Sequence, residues 1–370
     1  MFISVEQMKK IVSILGARPQ FIKAAVLSRI IQEKKEFSEV LVHTGQHFDA
    51  NMSEVFFKEM DIPKPKYNLD INGIGHGAMT GRMLEQIEGV LLHEKPDLLV
   101  VYGDTNSTLA GALAAKKLGI KVAHVEAGLR SFNMAMPEEV NRILTDRISD
   151  LLFCPTLTAL SNLKAEGFEN FDAKVILSGD IMGDSVAYYS QLATDRSAII
   201  KGLQLDAKKF ILATIHRQEN TDDPKVLGSI MKALNDISDD TLVVMPLHPR
   251  TRMMMVKFDI SFKGLTIDPV GYFDMLALLK YCSLVITDSG GLQKEAYFNQ
   301  KPCVIAREET EWVELVEAGF ARIVGSNTAQ IKEASQDYLN ELPDYSIELY
   351  GHKVGNRIYQ EIATFLAKEI

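Results

Sequence analysis

The chain has 370 residues, of which 46% are hydrophobic and 24% charged, and its formal net charge at pH 7 is −9. This length exceeds what one hydrophobic core usually serves, so we expect two domains. The composition is that of a globular protein, the apolar runs are too short to cross a membrane, and the negative charge argues against a general nucleic-acid binder. We therefore expect neither a membrane nor a nucleic acid as partner.

The N-terminal stretch and the cysteines indicate a reducing compartment. Residues 1–9 include Glu6 and lack an apolar core, so the sequence predicts no secretory signal. The three cysteines (Cys154, Cys282 and Cys303) are widely spaced, so we predict neither a disulfide framework nor a zinc cluster. We expect a cytoplasmic protein.

Short apolar runs alternate with segments of helical periodicity along the chain. The predicted strands, six on each side of about residue 180, are Ile11–Leu15, Val40–His43, Leu98–Tyr102, Val122–Val125, Leu151–Cys154, Val175–Leu177, Phe210–Thr214, Leu242–Met245, Leu265–Ile267, Leu284–Thr287, Cys303–Ile305 and Ile323–Val324. Helical segments between them include Met79–Leu92, Ser107–Leu118, Val226–Ile237 and Ile331–Leu339. This alternation predicts an α/β protein with two Rossmann-like, doubly wound domains, each built on a parallel sheet.

Glycine and aspartate residues interrupt this pattern at Ser178–Asp184. We therefore predict an N-terminal domain over residues 1–180, a second domain over 181–350, and a C-terminal helix within 351–370 that packs back on the first domain. Ligands of such sheets lie beyond the carboxyl ends of the strands, and a two-domain version places its ligand in the interdomain cleft. Functional residues are expected in the loops that follow strands.

One loop has the pattern of a nucleotide-binding turn. The run Leu284–Thr287 ends at an aspartate, Ser289, Gly290 and Gly291, and an amphipathic segment follows. This order predicts a helix N-terminus, whose free N–H groups and dipole favour an anion. Glu295, about one turn into the helix, suits a ribose diol better than a phosphate. The turn therefore indicates a nucleoside diphosphate, although an ordinary turn with a serine cap has the same pattern.

The loop after the first strand carries two cations. Arg18 and Lys23 lie near one helix entrance, where they are suited to anion capture. A solvated Arg and Lys on an exposed turn is the alternative interpretation.

Three carboxylates follow strands of the first half. Asp104 lies at a strand tip, where it is either functional or a helix N-cap. Glu126 lies at the end of a buried strand, a costly place for a carboxylate without a role. Glu138 begins a later helix, and with Arg142 it has the spacing of an i,i+4 ion pair. Carboxylates in a closed cleft can carry protons, so the three together predict acid–base chemistry.

The second half offers complementary groups. His216 and His248 follow two successive strands, where phosphate or leaving-group contacts are the interpretation favoured over a core role. Phe273, just after a short strand, either holds a base or packs in the core. No metal-binding motif is present, so neither a metal nor another cofactor is predicted.

These strings together resemble the non-hydrolysing UDP-N-acetylglucosamine 2-epimerase family from about Lys10 to the C-terminus. The strings that carry the resemblance are Gly16–Lys23, Gly103–Thr105, His124–Arg130, Pro137–Arg142, His216-Arg217, Asp288–Glu295 and Arg307–Glu311. The resemblance implies two Rossmann-like domains arranged as in B-type glycosyltransferases. It also implies C2 epimerisation of a UDP-2-acetamido sugar, by elimination and re-addition of UDP through a 2-acetamidoglucal.

The resemblance also implies residue roles. By motif match Asp104, Glu126 and Glu138 are similar to the family's catalytic acids, without separate assignment as base and acid. The groups similar to its diphosphate ligands and stabilisers are Arg18, Lys23, Arg142, His216, Ser289, Gly290 and Gly291. Glu295 is similar to its ribose contact. Family members are commonly dimers, so a homodimer is expected.

Two departures bear on the sugar. The first loop has Ala17 and Gln20-Phe21 where the family commonly has threonine and glutamate, and Trp312 replaces an arginine near the sugar. Both variants resemble the branch that acts on UDP-2,3-diacetamido-2,3-dideoxyglucuronate. UDP-N-acetylglucosamine and that uronate both stay open as substrates, for surface polysaccharide synthesis.

The family's second, activating UDP-sugar site is matched only in part. Gln46-His47 match it, whereas Phe48-Asp49 and the stretch around His76 depart from it. Three other activities are alternatives: a UDP-sugar glycosyltransferase, a hydrolysing epimerase and a nucleotide-sugar-binding regulator without turnover. Three acids with paired cations favour elimination over glycosyl transfer.

Overall fold

The structure, a computed structural model, describes residues 8–46, 57 and 62–368. The chain forms two compact units, one from residues 1–185 with 350–370 and one from residues 186–349. The division falls inside the helix Ile181–Arg196 and not at residue 180. The first turn of this helix belongs to unit 1 because Ser185 donates to the Ile22 carbonyl (3.1 Å) and Asp184 accepts from the Gly355 amide (2.8 Å).

Unit 1 contains a seven-stranded parallel sheet with the strand order β3-β2-β1-β4-β5-β6-β7. The strands are β1 (Lys9–Leu15), β2 (Phe37–His43), β3 (Tyr67–Asn68), β4 (Leu98–Tyr102), β5 (Lys121–Val125), β6 (Leu151–Cys154) and β7 (Lys174–Leu177). All six predicted strands are present. β3 was not predicted, because a two-residue strand leaves no apolar run to recognise.

The helices of unit 1 follow its strands, as parallel connections require. They are α1 (Arg18–Lys34), α2 (His76–Glu94), α3 (Asn106–Lys117), α4 (Pro137–Ile148), α5 (Leu157–Ala165), the start of α6 (Ile181–Arg196), and α15 (Val354–Lys368). The apolar strand residues form the core, and Val12, Ile14, Leu99 and Val101 are fully buried. The buried strands therefore hold in place the loops that follow their carboxyl ends.

Unit 2 contains a six-stranded parallel sheet with the order β10-β9-β8-β11-β12-β13. Its strands are β8 (Phe210–Thr214), β9 (Leu242–Pro246), β10 (Leu265–Ile267), β11 (Leu284–Thr287), β12 (Cys303–Ile305) and β13 (Ala321–Ile323). Its helices are α7 (Ile199–Gly202), α8 (Gln218–Thr221), α9 (Pro224–Ser238), α10 (Pro249–Lys257), α11 (Tyr272–Tyr281), α12 (Gly290–Phe298), α13 (Val313–Glu317) and α14 (Thr328–Asn340). β8 and β11 are neighbours, so the loops that follow them meet.

Helix α15 packs on α1 within unit 1. Gly355 permits the close approach, because a side chain there would lie 2.5 Å from a Val26 methyl. The Tyr359 hydroxyl contacts the Glu36 carboxylate at 2.8 Å. The end of the chain therefore contributes to the first unit.

Across residues 8–46 and 62–368, no helix is long and apolar enough to span a bilayer. The same residues contain no grouping of His, Cys, Asp and Glu suited to a metal ion.

Candidate active site

A buried ion pair lies at the carboxyl edge of the sheet in unit 1. The Lys23 ammonium on α1 contacts the Glu126 carboxylate after β5, with side-chain exposures of 5% and 10%. A side chain on Gly103, at the end of β4, would lie 3.6 Å from Lys23 Nζ. A helix and two loops that are distant in sequence therefore place a cation and a carboxylate together.

The backbone of Glu126 has an unusual conformation. Its φ is +74°, a left-handed value that is uncommon for a residue with a side chain. Both the Glu126 and Ala127 amides donate to the Phe153 carbonyl, at 3.1 and 3.0 Å, and this fixes the turn. Backbone strain of this kind concentrates at functional sites.

A second ion pair joins Arg142 on α4 to Asp104 after β4. Arg142 is 5% exposed and also contacts Glu139, at 2.7 Å, whereas Asp104 is 28% exposed. Asp104 is thus the more accessible partner. Its backbone carbonyl accepts a hydrogen bond from Asn141 (3.0 Å), which fixes the loop to α4.

The adjacent residues Glu138 and Glu139 have different environments: Glu138 is exposed and Glu139 is buried. The i,i+4 alternative paired Arg142 with Glu138, but Arg142 contacts Glu139, three residues away, while Glu138 is exposed. Glu139 is buried and accepts from the Ser131 amide (3.0 Å), the Ser131 hydroxyl (3.0 Å) and the Phe132 amide (2.9 Å). Burial alone would raise the pKa of Glu139, but these bonds and the Arg142 charge outweigh it and lower the pKa.

Gln20 connects the loops after β1 and β4. Its Oε1 accepts from the Gly16 and Ala17 amides at 2.7 and 2.9 Å. Its Nε2 donates to the Tyr102 carbonyl (2.8 Å), and to two threonine hydroxyls, those of Thr105 and Thr108. A carboxylate has no proton for the Tyr102 carbonyl, so the amide suits this position.

His124, on β5, contacts the loop after β4 at the same sheet edge. Its Nε2 contacts the Gly103 carbonyl and its Nδ1 contacts the Asp146 carboxylate, both at 2.7 Å. Asp146 also accepts from Arg130 Nη1 (2.7 Å) and the Gly128 amide (3.1 Å). This fully buried network joins β5 to α4 and fixes the Gly103 loop that carries Asp104.

The residues that match or depart from the family's activating site are only partly described. The Gln46 side chain accepts from the Ser107 amide (3.1 Å) and hydroxyl (2.7 Å). His47, Phe48 and Asp49 lie outside the described residues.

In unit 2 the predicted turn is a strand end followed by the N-terminus of α12. Ser289 occupies the N-cap position, and none of the described amides of α12 donates to its hydroxyl. A side chain on Gly290 would lie 3.2 Å from Glu311 Oε2, whereas the same position on Gly291 is open among the described residues. Glu295 is 8% exposed on the second turn of α12. The turn presents backbone, the Ser289 hydroxyl and helix N–H groups.

Two histidines lie beside this turn. His216 Nδ1 is 3.1 Å from Oδ1 of the buried Asp288, and the rings of His216 and His248 are 5.6 Å apart. Burial opposes ionisation of Asp288, yet its bonds from His216 and from the Arg217 amide lower the pKa. Asp288 was not among the predicted site residues, although its position at the end of β11 was a signal for it.

The Trp312 departure lies next to the same turn. Its ring packs under Lys294 Nζ, 3.7 Å from the ring centroid, and both residues are buried. Arg307 contacts Glu311 at 3.1 Å. Burial alone would raise the pKa of Glu311, but the Arg307 charge lowers it.

Two other predicted site residues have different environments. Arg18 begins α1 and is half-buried. Phe273 is 5% exposed, and its ring packs 6.0 Å from the Tyr189 ring with Arg196 over it at 5.5 Å. For Phe273 these contacts correspond to the packing interpretation.

The chain is similar to known proteins along most of its length. The family model for UDP-N-acetylglucosamine 2-epimerase matches residues 29–363. A UDP-2,3-diacetamido-2,3-dideoxy-D-glucuronate 2-epimerase of Pseudomonas aeruginosa is 55% identical over 97% of this chain and 99% of that protein. A UDP-N-acetylglucosamine 2-epimerase homolog of Methanococcus maripaludis is 50% identical over 88% of this chain and 91% of that protein.

A solved structure has the same fold. The Methanocaldococcus jannaschii UDP-GlcNAc 2-epimerase, in complex with UDP-GlcNAc and UDP, superposes with a TM-score of 0.87 at 40% identity, covering 96% of this chain and 99% of that one. The predicted fold class, with two parallel sheets flanked by helices, is confirmed. The chain belongs to the UDP-N-acetylglucosamine 2-epimerase family.

Proposed function

We propose that the protein is a non-hydrolysing UDP-sugar 2-epimerase whose substrate is UDP-2,3-diacetamido-2,3-dideoxyglucuronate. The observation that carries the proposal is the pair of contacts Lys23–Glu126, which is buried, and Arg142–Asp104, which is partly buried, at one sheet edge. This edge combines cations that attract a leaving diphosphate with carboxylates that move protons.

The reaction is an elimination followed by re-addition. A carboxylate takes the C2 proton, the bond from C1 to the UDP oxygen breaks, and a 2-acetamidoglucal and UDP result. UDP then adds back at C1 while a proton is delivered to the opposite face of C2. Asp104, Glu126 and Glu138 are the proposed proton carriers, and no individual role is assigned among them.

The nucleotide contacts are proposed on unit 2. Ser289, Gly290 and Gly291 contact the diphosphate through the Ser289 hydroxyl and the N–H groups of α12, and Glu295 contacts the ribose. His216 and His248 supply further donors to the phosphates. Lys23, Arg18 and Arg142 add the positive charge that stabilises the leaving group.

Similarity to one relative, together with the residues at two positions, favours the uronate over UDP-N-acetylglucosamine as the substrate. The relative that is 55% identical carries the uronate name. Gln20 makes hydrogen bonds that a glutamate cannot make, and Trp312 is built into the turn under Lys294. UDP-N-acetylglucosamine is the second candidate, because the family model and the Methanocaldococcus structure carry that name.

The test is incubation with each UDP-sugar in deuterated water, followed by NMR of the products. The proposal requires deuterium at C2 and the C2 epimer, with the uronate turned over faster than UDP-N-acetylglucosamine. Faster turnover of UDP-N-acetylglucosamine would overturn the substrate assignment. Free sugar with UDP would identify a hydrolysing epimerase, and exchange at C2 with neither sugar would overturn the whole proposal.

The expected assembly and compartment are part of the same proposal. We propose a cytoplasmic homodimer, and the three cysteines are free and buried, as suits a reducing compartment. Light scattering after gel filtration tests the dimer, and a mass equal to one chain would contradict it.

A further inference from the structure

Two imidazole rings lie side by side at the carboxyl edge of the sheet in unit 2. His216 follows β8 and His248 follows β9, and their ring centroids are 5.6 Å apart with planes tilted by 35°. Two positive charges at this separation repel each other, so protonation of one ring disfavours protonation of the other. The surrounding groups must therefore determine which ring carries the charge.

Asp288 provides the asymmetry. Its Oδ2 accepts from the His216 amide (2.8 Å), the Arg217 amide (2.9 Å) and Asn220 Nδ2 (3.1 Å). Its Oδ1 is the atom 3.1 Å from His216 Nδ1. The carboxylate accepts three hydrogen bonds at Oδ2 and stays ionised, and its Oδ1 favours the tautomer of His216 that has its proton on Nδ1. This leaves Nε2 of a ring that is 37% exposed to contact a ligand.

His248 has the opposite surroundings. Its Nδ1 accepts from the Arg250 amide (3.2 Å), as the N-cap of α10. A ring that accepts at Nδ1 is neutral and carries its proton on Nε2. The nearby cation is Arg250, which is itself paired with Asp222. Loss of hydration, together with the charge of a protonated His216, lowers the pKa of His248.

The geometry points to Asp288 as a positioning residue that directs the positive charge of this pair to His216, whose Nε2–H then neutralises the diphosphate of the departing UDP. His248 stays neutral and donates from Nε2. This inference rests on the proposed function, because the ligand is the UDP diphosphate. The Ser289–Gly291 turn follows Asp288 directly, so the carboxylate that orients His216 also begins the phosphate-binding turn.

The decisive experiment is calorimetry of UDP binding from about pH 6 to about pH 9, a range that spans the ordinary histidine pKa of about 6.5. If UDP binds the charged form of His216, proton uptake on binding occurs within this range, and there the heat depends on the ionisation enthalpy of the buffer. In Asp288→Asn the amide oxygen still accepts from the backbone, but the amide nitrogen faces His216 Nδ1 and favours the wrong tautomer. We expect proton uptake to vanish and UDP affinity to fall by about tenfold or more.

Asp222→Asn is the matched control, because it removes a neighbouring carboxylate that contacts Arg250 and not His216. It should keep proton uptake and affinity. Proton uptake that persists in Asp288→Asn, or wild-type binding without uptake, would overturn the assignment while leaving the proposed function intact. Failure of wild-type protein to bind UDP would instead count against the proposed function.

Histidine ring NMR of wild-type protein keeps the inference testable even where Asp288→Asn does not fold. His216→Gln and His248→Gln assign the two sets of ring signals. The inference requires the Nδ1–H tautomer for neutral His216 and the Nε2–H tautomer for His248. The opposite pair of tautomers would refute it.

Discussion

The adjacent glutamates at the start of α4 give the sharpest prediction. Glu138 is exposed and is proposed to carry protons, whereas Glu139 is buried and fixes the Ser131–Phe132 loop and Arg142. Replacing either glutamate by glutamine removes one charge and keeps the size. Glu138→Gln should therefore impair catalysis without loss of stability. Glu139→Gln should lower the stability of the protein as its primary effect.

The cost of Glu139→Gln follows from its four donors. Oε2 accepts from the Ser131 amide and hydroxyl and from Arg142, and Oε1 accepts from the Phe132 amide. A glutamine must turn its NH₂ towards at least one of these donors, so it loses at least one bond as well as the charge. A hydrogen bond to a charged group contributes about 1.5–3 kcal/mol, and a buried pair that loses one partner costs about 3–5 kcal/mol. We expect a loss of about 3 kcal/mol.

Scanning calorimetry and C2 proton exchange measure the two effects. For a domain of this size, about 3 kcal/mol lowers the melting temperature by roughly 6–12 °C. Glu138→Gln should change the melting temperature by no more than about 2 °C, as exposed substitutions do, and should slow exchange by about 10²–10⁴-fold. Equal destabilisation by both variants, or wild-type exchange in Glu138→Gln, would refute the reasoning.

Three further predictions concern single positions. Glu126→Gln should abolish C2 exchange without weakening UDP binding, as measured by calorimetry; loss of both would indicate a structural role. Hydrogen bonds from Lys66 and Tyr67 lower the pKa of Glu94 to about 2, below its unfolded value of 4.5. The stabilising contribution of Glu94 is therefore present above pH 4.5 and is lost as the pH falls towards about 2. Urea unfolding of Glu94→Gln should therefore show a deficit at pH 7 that shrinks in acid, and a constant deficit would contradict this. Gly16→Ala should destabilise unit 1 by about 1–3 kcal/mol in urea, because its methyl would lie 2.1 Å from the Ser107 hydroxyl; unchanged stability would show that the loops separate freely.

The strand pattern was readable from the sequence because buried parallel strands are continuous apolar runs. All twelve predicted strands are found, and the turn before α12 lies where its glycines predicted it. The short β3 was missed because two residues give no periodicity. Patterns of this kind depend only on neighbours in the chain.

The supporting contacts could not be predicted, since they join residues that are distant in sequence. Gln20 is 88 positions from Thr108, and Asp288 is 72 positions from His216. Glu139 was missed for a different reason. The helical spacing to Arg142 fits both i,i+3 and i,i+4 pairs, and only burial selects Glu139.

The two ion pairs of unit 1 connect leaving-group capture with proton transfer. Lys23 contacts Glu126 and Arg142 contacts Asp104, so two of the three proposed diphosphate cations are partners of proposed proton carriers. A carboxylate beside a cation is a weak base, and it accepts a proton more readily once that cation is drawn away. If Lys23 and Arg142 bind the diphosphate as proposed, the phosphates compete with Glu126 and Asp104 for these two cations, and binding releases the carboxylates for proton transfer. A UDP-sugar analogue with an uncharged group in place of the diphosphate should therefore lose more C2 exchange than its loss of affinity accounts for.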